Sequence, residues 1–310
     1  MKTVCITGIG GYIGEATAHA LVHRGYKVVG IGTSPDRPVG LPMEVVYAAC
    51  DIGDTQKLTH LLQENEVESV FHFAGNKYVS LCEKNPEMCF KINTEGTQSI
   101  LEAMKYAKVP HIVFASTYVV YTLNEDSMLL SEESPIHSDT VYGKSKLEAE
   151  ALIHKSVASG DLIRWHILRY SNVIGSFSGQ HTRNTRNFLD LVLEKARTGE
   201  AVSLFGGEYH TQDGSVARDF IALQDVVSAH AALLEAGESG IYNVSSGNAT
   251  TLRELVGFVE DATGINIAIE IRPPQRSEPS SITVSSQKLQ RAVAWIPSSS
   301  IVQTVKELVG

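Results

Sequence analysis

The sequence lacks the features that several large classes of protein require. No block of lysine and arginine interrupts its 310 residues, and the formal net charge is -9. Nucleic-acid and anionic-membrane surfaces attract clustered positive charge, so we expect neither as a partner. No apolar run is long enough for a membrane helix, and Met1-Lys2 leads directly into a strand-like segment without the apolar region of a signal peptide. We therefore expect a cytoplasmic protein.

Cysteine is also scarce. The four cysteines, Cys5, Cys50, Cys82 and Cys89, form no CxxC pair and stand in apolar or helical stretches. Structural zinc sites and the disulfide frameworks of small secreted domains need a different spacing or density of cysteine. The sequence thus predicts no metal site and no disulfide framework, as expected in a reducing compartment.

Short β-rich runs alternate with helix-length amphipathic segments through the first half of the chain. The strand candidates KTVCI, KVVGIG, VVYAAC, VFHFAG, HIVFAS and WHILRY are mostly apolar without alternation. Such strands are buried on both faces, as in a parallel sheet with helices on each side. We predict a Rossmann-type doubly wound α/β domain with a smaller C-terminal substrate-binding lobe. The Rossmann-type domain is expected at residues 1–171 plus about 216–240. The lobe, which is more polar and irregular, is expected at residues 172–215 and 241–310.

A glycine-rich segment, TGIGGYIG at residues 7–14, follows the first predicted strand and opens the first predicted helix. It could be only a tight turn, but this context favours a dinucleotide site. Gly8 would permit the turn, Gly11 the close approach of a pyrophosphate, and Gly14 the contact between helix and sheet. The helix N-terminus adds N–H groups that suit an anion.

The spacing TGxxGxxG resembles that of the short-chain dehydrogenase/reductase superfamily, and TGIGGYIG resembles its extended branch, which modifies nucleotide sugars. In one respect the sequence departs from the family. Gly32, followed by Thr33 and Ser34, stands where an acidic residue usually holds the adenosine ribose. Arg37 is close enough in sequence to accept a 2′-phosphate. We expect NAD as the cofactor, with NADP as the alternative.

A catalytic set is indicated by YGKSK at residues 142–146, which places Tyr142 and Lys146 on one face of a helix. A phenol has a pKa near ~10, and a neighbouring ammonium would lower it enough to make a proton acceptor. Ser116 and Thr117 end the strand HIVFAST. The resemblance implies that Tyr142 takes a hydroxyl proton, that Lys146 tunes Tyr142 and holds the nicotinamide ribose, and that Thr117 orients the substrate oxygen with Ser116 in support.

The resemblance covers nearly the whole chain, with further matches in FHFAGNKYV, INTEGT and LRYSNVIG. The cofactor-binding residues that it implies are Gly8, Gly11, Tyr12, Ile13, Gly14, Thr33, Asp51, Ile52, Phe73, Ala74, Gly75, Lys77, Asn93, Ser116, Tyr142, Lys146 and Tyr170. The substrate-binding residues that it implies are Lys77, Thr117, Tyr142, Asn172, Asn187, Arg218 and Arg276. It also implies a homodimer in which the helices that begin near Thr94 and Tyr142 pair.

The residues around the catalytic threonine and near the C-terminus distinguish among reactions. Tyr118 and Val119 follow Thr117, so the acid/base pair of a 4,6-dehydratase and the glutamate of a decarboxylase are both missing. The segment LFGGEYHTQDGSVARDFIALQDVVSAH resembles the signature of UDP-glucose 4-epimerases. There Arg218 would hold the diphosphate, because a planar guanidinium suits phosphate, and Asp219 would order the loop.

The predicted function is therefore a nucleotide-sugar 4-epimerase, acting on a UDP-hexose through a 4-keto intermediate by reversible hydride transfer to tightly bound NAD. The sugar itself stays open, because the IRPPQRSEPSS segment fits the family loosely. One alternative is an NAD(P)H-dependent reductase of 4-keto nucleotide sugars. Another, from a different class, is a catalytically silent protein that senses dinucleotides; such sensors typically lose the tyrosine and lysine that this chain has.

Overall fold

A computed structural model describes residues 2–123, 127–176, 187–206, 209–273 and 279–309. Within these ranges no helix combines the length and the hydropathy needed to cross a membrane. The strands are β1 Thr3–Thr7, β2 Lys27–Gly32, β3 Val46–Ala49, β4 Ser69–His72, β5 His111–Thr117, β6 Ser127–Leu130, β7 Arg164–Tyr170, β8 Asn172–Ile174, β9 Val202–Phe205, β10 Ala217–Ala222, β11 Gly240–Val244, β12 Ala249–Thr251, β13 Ile269–Arg272 and β14 Ser281–Val284.

Helices connect most of these strands. They are α1 Tyr12–His23, α2 Thr55–Glu64, α3 Val79–Lys84, α4 Pro86–Phe90, α5 Gly96–Ala107, α6 Val141–Ala158, α7 Phe188–Thr198, α8 Leu223–Ala236, α9 Leu252–Thr263, α10 Gln287–Val293 and α11 Ile301–Val309. A π-helical turn at Lys91–Glu95 joins α4 to α5, and a 3-10 turn at Tyr118–Val120 follows β5.

The main sheet has seven strands in the order β11-β7-β5-β4-β1-β2-β3. β1 lies between β2 and β4 and runs parallel to both, and the pairs β2–β3 and β4–β5 are parallel as well. The chain thus winds outward from β1 first in one direction and then in the other, which confirms the predicted doubly wound sheet. At such a reversal, ligands bind beyond the carboxyl ends of the strands. The glycine-rich segment leaves β1 at this point.

Apolar side chains explain why the central strands are buried. Every residue of β1 and β4 is buried. On one face of the sheet, Val29, Val70 and Ile112 pack with Leu58 of α2 and Ile100 of α5. Each such side chain contributes roughly 1.5–3 kcal/mol when fully buried. The unalternating apolar runs in the sequence therefore correspond to strands that are covered on both faces.

The chain divides into two compact units. Unit 1 comprises residues 1–121, 136–169 and 230–242, and unit 2 comprises residues 122–135, 170–229 and 243–310. The predicted boundaries differ from these most at residues 122–135 and 216–229, which belong to unit 2, and by two residues at 170–171 and at 241–242. The reason is strand pairing: β6 pairs with β14, and β10 pairs with β8, β12 and β14.

Unit 2 has its own sheet and its own core. Its sheet runs β12-β10-β14-β6, with β8 beside β10, and a second small sheet pairs β9 with β13 in parallel. Leu189 and Val192 of α7, Leu255 of α9 and Val305 of α11 are fully buried in one cluster. This unit contains most of the residues of the predicted smaller lobe, and its role in substrate binding stays a prediction.

One sequence-based expectation about cysteine is wrong. Cys82 of α3 and Cys89 of α4 form a disulfide, with their Cα atoms 5.1 Å apart. Asn85 ends α3 and caps α4 in the same step, by accepting from the Met88 amide at 3.1 Å. The two short helices therefore meet at a bend that brings together cysteines seven residues apart. Local spacing does not reveal that bend, because it depends on helix packing. Cys5 and Cys50 are free and buried.

Candidate active site

The segment after β1 forms a close backbone cradle. Gly8 has φ +67°, and a Cβ on it would lie 2.7 Å from the Ala74 amide nitrogen. A Cβ on Gly14 would overlap the Gly8 carbonyl oxygen, and one on Gly11 would lie 3.0 Å from the same oxygen. α1 begins at Tyr12 without a side-chain cap, because Gly11 is its N-cap. A side chain at Gly8 or Gly14 would overlap this cradle, and the first amides of α1 have no acceptor within the helix, so the residues fit a pyrophosphate.

The loop after β4 is tied to α6 through Asn93. The Asn76 amide donates to Asn93 Oδ1 at 2.7 Å, and Asn93 Nδ2 donates to the Asn76 carbonyl oxygen at 3.0 Å and to Ser145 Oγ at 2.9 Å. A Cβ on Gly75 would lie 3.0 Å from Asn93 Oδ1 and 3.3 Å from Lys146 Nζ. The structure therefore brings Gly75, Asn93 and Lys146 together, and contact with the cofactor stays a prediction for all three.

The three predicted catalytic side chains meet at the end of β5. Thr140 caps α6, and it accepts a hydrogen bond from the Gly143 amide at 3.0 Å. One turn of the helix then separates Tyr142 and Lys146, which are both buried. The Thr117 side chain lies close enough to the Tyr142 hydroxyl to lower the pKa of that phenol. Lys146 Nζ donates to the Ala115 carbonyl oxygen at 3.0 Å. This arrangement places a phenol, an alcohol and an amine around one small region of unit 1.

The electrostatics of this group differ from the expectation. Burial raises the pKa of Tyr142 to about 12, although the nearby Thr117 side chain lowers it. The pKa of Lys146 is lowered to about 8, because the effect of burial outweighs the opposite effect of the nearby Glu150 carboxylate. In the protein by itself, burial therefore outweighs any lowering of the Tyr142 pKa, and the expected effect of Lys146 on Tyr142 stays a prediction. The amine is held by the Ala115 carbonyl, and desolvation outweighs the other influences on the phenol.

Glu150 is a buried residue beside the site that sequence reasoning missed. Its Oε1 accepts from Ser116 Oγ at 2.5 Å and from Arg169 Nε at 3.1 Å, and its Oε2 accepts from Arg169 Nη2 at 2.6 Å. The Arg169 guanidinium lies 4.8 Å from the centre of the Tyr121 ring. The Ser116 hydroxyl thus donates to a carboxylate inside unit 1. The spacing of Lys146 and Glu150, four residues apart on α6, could have indicated this group.

The loop after β2 was expected to decide between NAD and NADP. Thr33 is exposed at its start. Arg37 Nη1 donates to the Leu41 carbonyl oxygen at 3.3 Å, and Nη2 donates to that of Pro42. The guanidinium on which the NADP alternative depends is therefore held by its own loop.

Other predicted cofactor residues lie on three segments of unit 1. Asp51 is exposed, and its Oδ1 accepts from the Gly53 amide at 2.8 Å. Ile52 is buried in the core cluster beside α5. Phe73 stacks on the His230 ring at 5.0 Å between centroids.

Lys77 Nζ lies 5.6 Å from the centre of the Tyr12 ring, and Ile13 is half-buried in the first turn of α1. The loop after β4 thus reaches the first turn of α1.

Arg218 in unit 2 is buried in β10. Its Nη1 donates to the carbonyl oxygens of Ala217 at 2.8 Å and Pro279 at 2.9 Å. These bonds fix the stem of the guanidinium at the edge of β14.

Two further predicted substrate residues of unit 2, Asn172 and Asn187, have structural partners, and the predicted cofactor residue Tyr170 lies in the same unit. Asn172 Nδ2 donates to the Asp219 carbonyl oxygen at 2.9 Å. Asn187 caps α7, and its Oδ1 accepts from the Asp190 amide at 2.8 Å. Tyr170 is buried at the end of β7. Arg276 lies outside the described residues. Contact of Asn172, Asn187 and Arg276 with the substrate, and of Tyr170 with the cofactor, stays a prediction.

Asp219 fastens several segments of unit 2, as the sequence indicates. Its carboxylate accepts from the amides of Ser246 and Gly247, both at 3.0 Å, and of Val284 at 3.2 Å. Burial raises the pKa of Asp219 to about 6 despite these hydrogen bonds.

Comparison with known proteins agrees with this geometry. The sequence profile of the NAD dependent epimerase/dehydratase family matches residues 4–245. This chain belongs to that family. It is similar to the UDP-glucose 4-epimerase of Halalkalibacterium halodurans, at 30% identity over 98% of this chain and 93% of the relative.

Two solved structures have the same fold. A crystal structure of a UDP-glucose 4-epimerase has a TM-score of 0.92 at 28% identity and covers 99% of this chain and 96% of its own. The structure of the UDP-glucose 4-epimerase of Stenotrophomonas maltophila, with bound NAD and formylated UDP-arabinopyranose, has a TM-score of 0.91 at 27% identity. It covers 99% of this chain and 97% of its own. The predicted family and fold are confirmed.

Proposed function

We propose that this chain is a nucleotide-sugar 4-epimerase that uses tightly bound NAD and acts on a UDP-linked hexose. The observation that carries the proposal is the grouping of Tyr142 and Thr117 at the end of β5, with Lys146 one helical turn from Tyr142, in the unit that also holds the glycine cradle. Family membership and relatives named UDP-glucose 4-epimerase confirm the predicted enzyme class, an NAD-dependent isomerase.

The side chains divide the work by their chemistry. Tyr142 accepts the proton of the sugar 4-hydroxyl and later returns it, which is general base and then general acid catalysis. Thr117 holds the reacting oxygen and stabilises the phenolate by donating to it. When bound, NAD supplies a hydride acceptor and a positive charge. Because the pKa of Tyr142 is about 12 in the protein by itself, charge introduced next to it, together with Lys146, must lower that pKa for turnover.

The substrate is inferred from the relatives and from unit 2. UDP-glucose 4-epimerases are the relatives that resemble this chain over nearly its full length, and one solved structure contains a UDP-sugar with NAD. A hexose as the sugar, contact of Arg218 and Asn172 with the diphosphate, and contact of Asn187 and Arg276 with the substrate all belong to the proposal. So do a homodimer through α5 and α6 and a cytoplasmic location.

The test is to incubate the purified protein with UDP-galactose and no added dinucleotide and to measure UDP-glucose by chromatography. We expect interconversion in both directions without net formation of NADH, and NAD in the extract of the denatured protein by mass spectrometry. Stoichiometric consumption of NADPH would instead identify a reductase. Retention of dinucleotide without turnover of any UDP-hexose would identify a sensor.

A further inference from the structure

The space that a β2 carboxylate would occupy is taken by a tyrosine. β2 and β3 are parallel, with Gly30 opposite Tyr47 and Gly32 opposite Ala49. A Cβ on Gly32 would lie 3.1 Å from the Tyr47 hydroxyl oxygen and 3.4 Å from its Cε2. The Tyr47 side chain therefore leans along the sheet toward the end of β2. The lack of a side chain at Gly32 makes room for this phenol.

The Tyr47 hydroxyl is oriented by a polar contact. It donates to the Ser34 carbonyl oxygen at 2.5 Å. A phenol has one proton to donate, so its oxygen can still accept a hydrogen bond from another group. Partial burial and the neighbouring Asp36 carboxylate raise the pKa of Tyr47, so the phenol is neutral at physiological pH. The half-buried hydroxyl is thus a fixed acceptor at the carboxyl end of β2.

The surrounding loop leads from this hydroxyl to the glycine cradle. A Cβ on Gly10 would lie 3.0 Å from Pro38 Cγ, and His19 Nε2 of α1 is 2.8 Å from the Gly40 carbonyl oxygen. Residues 33–42 therefore run beside α1 and its N-terminus. In this fold the pyrophosphate lies at that N-terminus and the adenosine ribose at the end of β2. Tyr47 stands next to the second position.

We propose that the Tyr47 phenol oxygen accepts a hydrogen bond from the 2′-hydroxyl of the adenosine ribose and thereby selects NAD over NADP. The inference rests on the NAD-dependent function proposed above and adds a specificity residue to it. A 2′-phosphate is doubly charged near neutral pH, so it offers no proton to the phenol. It would also meet the carboxylate of Asp36, while Arg37 is bonded to its own loop.

The experiment measures the coupling between the phenol and the ribose hydroxyl. The dissociation constants of NAD, NADP and NAD lacking the adenosine 2′-hydroxyl are measured by calorimetry for the wild type and for Tyr47→Phe. In the wild type, we expect loss of the 2′-hydroxyl to weaken binding about tenfold, the scale of one hydrogen bond. In Tyr47→Phe we expect NAD and the deoxy analogue to bind equally, and the preference for NAD over NADP to fall about tenfold.

Tyr106→Phe is the matched control, because this exposed tyrosine of α5 lies far along the chain from the loop and loses the same atom. A second variant, Gly32→Asp combined with Tyr47→Ala, provides the usual carboxylate and the room for it, and we expect it to restore the preference for NAD. If loss of the 2′-hydroxyl weakens binding equally in the wild type and in Tyr47→Phe, the inference about Tyr47 is overturned and the proposed function is not affected. If the wild type binds no dinucleotide, the proposed function fails with it.

Discussion

The two units compensate buried charge in different ways. In unit 1, the Glu150 carboxylate pairs with the Arg169 guanidinium, and both side chains are buried. In unit 2, the buried carboxylates of Asp219 and Asp225 accept hydrogen bonds from backbone amides, including those of Gly247 and Ser299. The first arrangement joins two formal charges through side chains, and the second surrounds one charge with neutral dipoles.

This difference has consequences for what each carboxylate does. A side-chain pair beside Lys146 acts on the charge of the catalytic group, since Glu150 raises the pKa of that lysine. A carboxylate bonded to the backbone fastens loops, as Asp225 does by accepting from the Ser298 amide at 3.0 Å. Removing one member of a buried ion pair also leaves an unpaired charge, whereas removing a charge that is held by amides leaves neutral groups.

The largest effect is expected for Tyr142→Phe, which separates chemistry from stability in unit 1. Losing the proton acceptor should lower kcat for the UDP-galactose reaction by about 10³-fold, within the range for general acid and base groups. Thermal unfolding and retention of NAD should stay close to the wild type. Tyr106→Phe is the control. A rate within tenfold of the wild type would show that another group accepts the proton.

Next is Glu150→Gln, which breaks the side-chain pair. We expect the free energy of unfolding to fall by about 3–5 kcal/mol, because Arg169 is left buried without its counter-charge. Urea denaturation measures this, with Glu148→Gln, an exposed position on the same helix, as the control. If both variants unfold at the same urea concentration as the wild type, the pair contributes little and the contrast between the units disappears.

The smallest effect is expected for Asp219→Asn, which tests the backbone-bonded carboxylate. We expect a loss of about 1–3 kcal/mol at pH 4, because the side-chain nitrogen of asparagine donates hydrogen bonds and cannot accept those of the Ser246, Gly247 or Val284 amides. The folded state keeps the Asp219 proton to about pH 6, and an unfolded carboxyl releases it near 3.8. The folded state therefore binds more protons between these values, so rising pH lowers the wild-type free energy of unfolding.

Asp219→Asn should remove that pH dependence. The measurement is urea denaturation at pH 4, 5 and 6, with Asp261→Asn, an exposed position on α9, as the control. If the free energy of unfolding of the wild type rises from pH 4 to pH 6 by more than that of Asp219→Asn, the predicted direction of the pH dependence is wrong.

Local features of the sequence predicted much of the fold and part of the site. The glycine cradle and the pair Tyr142 and Lys146 are each contained in a few consecutive residues, so spacing alone positions them. Ser116, Glu150 and Arg169 come from β5, α6 and β7, and only packing shows that they meet. The Cys82–Cys89 bond was missed for a related reason, since it depends on the bend between two short helices.

By itself, the sequence determined the parallel sheet and the cradle and predicted the catalytic set, because periodicity and motif spacing are properties of neighbouring residues. Only the tertiary structure decided which groups surround that set and what burial does to them. A pKa depends on everything within several ångströms, so Tyr142 near 12 and Lys146 near 8 could not be obtained from their spacing. The same holds at Gly32, where the missing carboxylate is visible in the sequence and the phenol of Tyr47 that takes its space is not.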